Sequence, residues 1–458
     1  MIKLINALLI SILLLFASCN NKSKKETEVL PATSKESRIS IASYDEQTVD
    51  NLFALAKVWG FLKYYHPEVS TGKWDMDKEL FDIMPKVIKA KNANENSKLL
   101  SKWVSGFGEI TDSGDPLDLS AYTVKLAPDL EWIDNQGELT PQLQKIKDAV
   151  RTKKETYYVS FPYGPSPFYV NEKKYADLST IDTGYRLLSL FRFWNIIEYY
   201  YPYKYLIEED WDNVLRAFIP EFIEGSDDRL EYKQLVLKLL ATVQDSHSRM
   251  VFDSAELLPD PEIDAWEGER MLPFEITFIE GKAMITSSYK TKVEEEYPFL
   301  IGDVILSVNA ESVEDFIQRK EPYTPTSHEA GLLKKLAQIL LKTNKPELEI
   351  AYERNGKTET GTFKTIPNTE IEIPNRTRID APAYKLLDNG IGYICMGSTH
   401  GDSLPEKYDT KALIIDLRAY PNSIKNYWEY YPLFPKATPF ATFTNASIAH
   451  PGLYYLTP

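Results

Sequence analysis

The stretch FLIGDVILSVNAESVEDF, residues 299–316, packs two turns, a strand and a helix start into one short run. Gly302-Asp303 supplies the first turn, Val304–Val308 alternates as a strand, and Asn309-Ala310 supplies the second turn. Ser312 then reads as the N-cap of a short helix, VEDFIQ. Working outward, PFEITFI (273–279) and KAMITSSY (282–289) have the composition of paired strands. LEIAYERNGKTETGTF (348–363) reads as a hairpin with Asn355-Gly356 at its turn. Residues 271–367 thus form one small β-rich domain of ordinary size.

Upstream the period changes from strand to helix. LAKVWGFLKYYHP, residues 55–67, repeats as LFRFWNIIEYYYP, residues 190–202, at an offset of about 135 residues. Trp59 aligns with Trp194, Tyr64 with Tyr199, Tyr65 with Tyr200 and Pro67 with Pro202, and Trp74-Asp75 finds a counterpart in Trp211-Asp212. Two helical hairpins of one design follow: a proline ends the first helix and a Trp-Asp pair opens the second. Their aromatics fall at helical spacing and read as a helix–helix core; a carbohydrate platform would require those rings exposed. Between the copies, residues 105–180 read as short strands and loops. After the second copy, the helix LEYKQLVLKLLATVQ runs into DSHSRMVF, so that a helix end presents His247.

Downstream, YKLLDNGIGYICMGS and KALIIDLRAYP read as a strand, a crossover and a buried strand, with Cys395 inside the first. Leu413–Ile415 is a continuous apolar run of the parallel-sheet kind, ending in Asp416-Leu417-Arg418 at the carboxyl end, where α/β sheets place their chemistry. Asp416 and Arg418 themselves read as a structural ion pair.

The 299–316 stretch resembles a PDZ domain, with Ala310 where the usual pattern has Gly. The order of His-bearing segment, PDZ-like domain, GIGYI and LIIDLR resembles the tail-specific, or C-terminal processing, serine peptidases over residues 180–458. DSHS matches the branch typified by the tricorn core protease. The resemblance implies a multidomain α+β chain: a helical N-terminal region with the duplicated hairpin, a PDZ-like β domain and a partial α/β, crotonase-like peptidase core. It implies His247 as general base, Ser246 as the neighbour that helps orient it, and Leu272-Pro273-Phe274 as the loop holding substrate C-termini. Imidazole suits the base's task because its ordinary pKa lies near neutrality.

Two departures stand against that pattern. The turn after Asp-Leu-Arg reads Ala419-Tyr420-Pro421-Asn422-Ser423, with no Gly and with a Pro that lacks an N–H. No nucleophile is identified, and the resemblance puts it beyond residue 458, making the final piece a truncated core. Ser398, in MGSTHG beside His400, has Met396 where a nucleophile elbow needs Gly and reads as a turn. The competing expectation is a non-catalytic, peptide-binding envelope lipoprotein with a degenerate core.

MIKLINALLISILLLFASC, residues 1–19, has a short apolar stretch running into small residues, a signal peptide resembling a bacterial lipobox with Cys19 as the lipidated residue. Residues 20–40 read as a tether, 41–180 as a helical and mixed domain, 181–265 as the helical peptidase region, 271–367 as the PDZ-like domain and 379–458 as the start of the core. The expected location is the bacterial cell envelope, lipid-anchored, on the periplasmic side or the cell surface. The 458 residues are 43% hydrophobic, enough for several cores. With 52 Lys and Arg against 67 Asp and Glu the formal charge is −15, which argues against nucleic acid as partner. No HExxH, CxxC, P-loop or dinucleotide fingerprint appears, so no metal and no cofactor are expected. The expected partners are protein or peptide C-termini and, through the lipid, a membrane.

Overall fold

The computed structural model describes residues 36–110, 118–149, 157–161, 167–175, 178, 180–253, 258–374, 379–398, 409–418, 436, 439 and 442–456. Cys19 with its signal segment, most of the tether, His400 and the turn at 419–423 lie outside the described residues. The described residues from Ser37 to Lys174 and from Thr180 onward form one compact unit, to which every element named below belongs.

Helix α1 (Glu46–Tyr65) starts where the Asp45 carboxylate accepts the Thr48 N–H, and it stops because His66, which precedes Pro67, is extended. It is followed by α2 (Met76–Val87), α3 (Ala93–Val104) and α4 (Thr140–Asp148). The second copy repeats the plan: Asp182 caps α5 (Thr183–Tyr200), Tyr201 is extended before Pro202, and α6 (Trp211–Glu224) follows.

The duplication is a pseudo-twofold arrangement, and its contacts come in related pairs. Trp59 Nε1 donates to the Met76 carbonyl at 2.7 Å and Trp194 Nε1 to the Trp211 carbonyl at 2.7 Å. Lys57 of the first copy pairs with Asp212 of the second, and Arg192 of the second with Asp77 of the first. The rings of Tyr64 and Tyr200 are 5.0 Å apart and those of Tyr65 and Tyr199 5.5 Å apart. The helices cross at Gly60, where an added Cβ would lie 1.8 Å from the Asn195 side chain; only glycine admits that approach. One correction to the sequence alignment follows. The second helices are capped by Asp75 and Asp210, so Met76 corresponds to Trp211, and Asp212 serves Lys57 rather than a cap. Trp59 and Trp194 are fully buried, which removes the carbohydrate platform and leaves the helix–helix core.

Helices α7 (Arg229–Ala241) and α8 (Pro261–Glu267) lead into the β-rich domain. Its strands are β1 (Phe274–Ile279), β2 (Lys282–Ser288), β3 (Val304–Val308), β4 (Glu311–Ser312), β5 (Glu347–Arg354) and β6 (Lys357–Lys364). They form one sheet in the order β6-β5-β3-β2-β1, with β4 against β3. Asn309 and Ala310 both have positive φ, at 50° and 63°, as do Asn355 and Gly356, the geometry that tight hairpins require. Ser312 caps α9 (Val313–Lys320) by accepting the Asp315 N–H, and His328 caps α10 (Glu329–Ala337) through Nδ1 and the Gly331 N–H. Leu272, Ile276, Ile285, Ile305, Leu336 and Ile350 are among the side chains that fuse sheet and helices into one core. Strand β1 is the sheet's outer edge, and α10 packs beside it.

The last piece is a sheet of β7 (Tyr384–Leu386), β8 (Ile391–Cys395) and β9 (Ala412–Asp416), with β8 and β9 parallel and Cys395 buried. Here the structure departs from the expected buried strand. Among the described residues β9 is an edge, and Ile414 and Ile415 are 46% and 40% exposed.

Candidate functional site

Past α7 the chain turns back at Gln244, whose φ is 55°, and Asp245 fixes the next three residues. Its Oδ1 accepts the His247 N–H at 2.8 Å and lies 3.1 Å from His247 Nδ1, while the Tyr201 hydroxyl reaches Oδ2 at 3.3 Å. An aspartate binding the N–H two residues on is a local turn, so the carboxylate that locks the backbone also orients the ring. Burial pushes the Asp245 carboxyl up, but the hydrogen bonds from the His247 backbone and ring and from Tyr201 outweigh it and hold the carboxyl below its usual range. Burial, aided by the Asp245 charge, pushes the Tyr201 phenol up to about 12. The His247 side chain is 97% exposed. It faces a cleft of about 880 Å³ whose walls include Tyr169, Tyr200, Tyr201, Phe443 and Tyr454.

Ser246 does something else. Its N–H donates to Ser327 Oγ at 3.0 Å and its Oγ accepts the Ser327 N–H at 2.9 Å, while Lys335 Nζ donates to its carbonyl at 3.2 Å. Ser327 directly precedes the cap of α10, so Ser246 fastens the histidine turn to the β-rich domain. The orienting role that the resemblance implied for Ser246 belongs to Asp245, because the serine hydroxyl is turned toward Ser327. The sequence carried the signal in the Asp-x-His spacing.

A second cleft, of about 1000 Å³, runs between β1 and α10; Glu275, Ile276, Thr277 and Phe278 line one side, Leu333 and Ala337 the other. Leu272-Pro273-Phe274 stands at the start of β1, yet its donors are engaged. The Leu272 N–H goes to the Leu341 carbonyl at 3.2 Å, Pro273 has none, and the Phe274 N–H goes to the Leu272 carbonyl at 2.8 Å. The loop therefore offers no free N–H to a carboxylate in this conformation.

Around the last sheet, Ser398 Oγ donates to the Ala381 carbonyl at 2.5 Å, and Asp416 holds Arg418 in an ion pair of 2.6 Å while accepting the Tyr393 hydroxyl. Those hydrogen bonds, Arg418 first, hold the Asp416 carboxyl well below the usual carboxylate range. The ion pair that the sequence indicated for Asp416 and Arg418 is present, and among the described residues no serine hydroxyl meets the His247 ring.

No curated protein matches the chain in sequence. Among solved structures, mature CPAF is 14% identical with a TM-score of 0.35, the match covering 50% of this chain and 54% of that one. Mature CPAF complexed with lactacystin is 12% identical with a TM-score of 0.34, covering 50% and 55%. The chain thus spans about half the length of these structures. A family model of the PDZ domain matches residues 268–377, so the sheet, the edge strand β1 and the helix α10 beside it are those of a PDZ domain.

Proposed function

We propose that this chain is a serine-type endopeptidase of the tail-specific family, of the tricorn-core-like branch, acting on proteins whose C-terminal tails it captures in the PDZ groove. An extended tail adds to the free edge of β1, where main-chain hydrogen bonds supply affinity and the apolar wall of α10 selects side chains. Holding the tail there raises its effective concentration at the cleft beside His247. In that cleft Asp245 keeps the proton on Nδ1, leaving Nε2 to accept the proton of a serine hydroxyl and to return it to the leaving amine. In the same reading the sheet β7–β9 opens a crotonase-like core, and Cys19 carries the lipid that anchors the protein in the cell envelope. The observation that carries the proposal is the pair of reciprocal Ser246–Ser327 hydrogen bonds, which join a histidine–aspartate pair to the start of the groove helix.

The alternative is a non-catalytic, peptide-binding envelope lipoprotein, favoured by the engagement of Ser398 with the Ala381 carbonyl. Treating the protein isolated from its native cells with a fluorophosphonate probe separates the two. Labelling that is lost in His247→Ala supports the peptidase. Absence of labelling alongside intact peptide binding supports the alternative.

A further inference from the structure

Lys320 ends α9 with its side chain folded inward: the residue is 7% exposed, and its Nζ lies 3.5 Å from the centroid of the Trp266 ring. It lines the same cleft as Met271, Glu275, Ile276 and Tyr323. The carboxylates around it are committed elsewhere. Arg319 takes Glu311, Lys342 takes Asp264 and Glu267, and Lys233 takes Asp260. Glu275, across the cleft, accepts the Ser287 hydroxyl. Among the described residues no carboxylate pairs with Lys320.

A buried ammonium without a counter-ion is costly, and the face of an indole offsets only part of that cost. The other cations of the cleft do not compete for an anion on equal terms. Lys342 already holds two carboxylates, Lys335 donates to the Ser246 and Pro325 carbonyls, and Lys334 and Arg249 are exposed to solvent. The backbone donors of Leu272-Pro273-Phe274 are engaged, so a chain end lying along β1 needs its negative charge met by a side chain.

We infer that Lys320, set against Trp266, is the receptor for the free C-terminal carboxylate of a peptide lying along the β1 edge. The inference rests on the reading of the β1–α10 cleft as a peptide groove and adds to it the group that distinguishes a chain end from an internal segment.

The test uses fluorescence anisotropy on the full chain with labelled hexapeptides ending in Ala, Val, Leu or Phe, each as free acid and as C-terminal amide. The acid is expected to bind at least about tenfold more tightly than its amide, the worth of a charged hydrogen bond. In Lys320→Met that preference falls to within about threefold, and in Lys320→Arg most of it is retained. A second measurement needs no variant: lysine acetylation of the wild-type chain, read by mass spectrometry, is blocked at Lys320 by the acid peptide and not by the amide. Acid preference that persists in Lys320→Met, or acetylation indifferent to the acid, overturns the role of Lys320 while the groove reading stands. Failure of every peptide to bind in either form overturns the groove reading itself.

Discussion

At the scale of single residues, the side chains that matter most are defined by a neighbour's carboxylate or ring. Asp245 is the clearest case, because one oxygen serves both the His247 backbone and its ring. Asp245→Asn keeps the shape and removes the charge and tautomer control, so in the peptidase proposed above it is expected to lower kcat for a tailed substrate by about 10³–10⁴-fold. Peptide affinity should stay within about twofold, since the groove is untouched; anisotropy and cleavage rates on the same preparation check the split. Lys320 gives a prediction in pH. Burial, together with Arg319 and Lys342 and against the pull of Glu267 and Glu311, lowers its ammonium from 10.5 to about 8. Between those values the unfolded chain holds the proton and the folded chain does not, so this group makes stability rise with pH from about 8 to about 10.5. Binding of a carboxylate runs the opposite way, since it needs the ammonium, and the acid peptide should weaken as pH climbs from 7 to 9.5. Titrating the amide peptide in parallel isolates the effect, because its affinity should stay flat across that range.

At the scale of elements, what the sequence made legible is what its local chemistry encodes. The turns at Gly302, Asn309 and Asn355, the Ser312 cap and the duplicated Trp–Tyr–Tyr–Pro pattern each act within a few residues, and each stands where the pattern put it. The misread elements depend on partners distant in the chain. Leu413–Ile415 has the composition of a buried strand, but burial is decided by what covers it, and β9 is an exposed edge among the described residues. Ala310 shows a local rule violated, an alanine held at a φ of 63°. Ala310→Gly removes that strain and should raise stability by about 0.5–1 kcal/mol in urea denaturation, the gain limited by glycine's greater freedom in the unfolded chain. The helix crossing gives the reverse case. Gly60→Ala drives a methyl into Asn195 and should cost about 1–3 kcal/mol, as overpacking does. The loss should shrink in an Asn195→Ala background, because the clashing amide is gone.

At the scale of the whole molecule, the question is where the PDZ domain ends. The turn signals bound it at residues 271–367, and the family match widens it to 268–377. The packing places the working boundary further upstream. The main core of the domain is drawn from residues between Leu272 and Phe363 and is closed on itself, so a fragment of residues 268–377 should fold cooperatively. That fragment lacks α8, and with it Trp266 over the Lys320 ammonium and the Asp264 and Glu267 carboxylates on Lys342. Extending it to Leu258 restores all three groups at little cost in size. Trp266 packs edge-on against Tyr323, and with Ile263 it lines the apolar cleft; these contacts are expected to outweigh what the indole leaves of the cost of burying Lys320, so the longer fragment should melt several degrees above the shorter one, as followed by circular dichroism. If the two melt together, the α8 contacts contribute nothing net to the domain. If they differ as expected, α8 is part of the functional PDZ unit. The helix then belongs to the groove it borders, although turn signals alone left it outside, because a ring and an ammonium 54 residues apart meet only once the domain has folded.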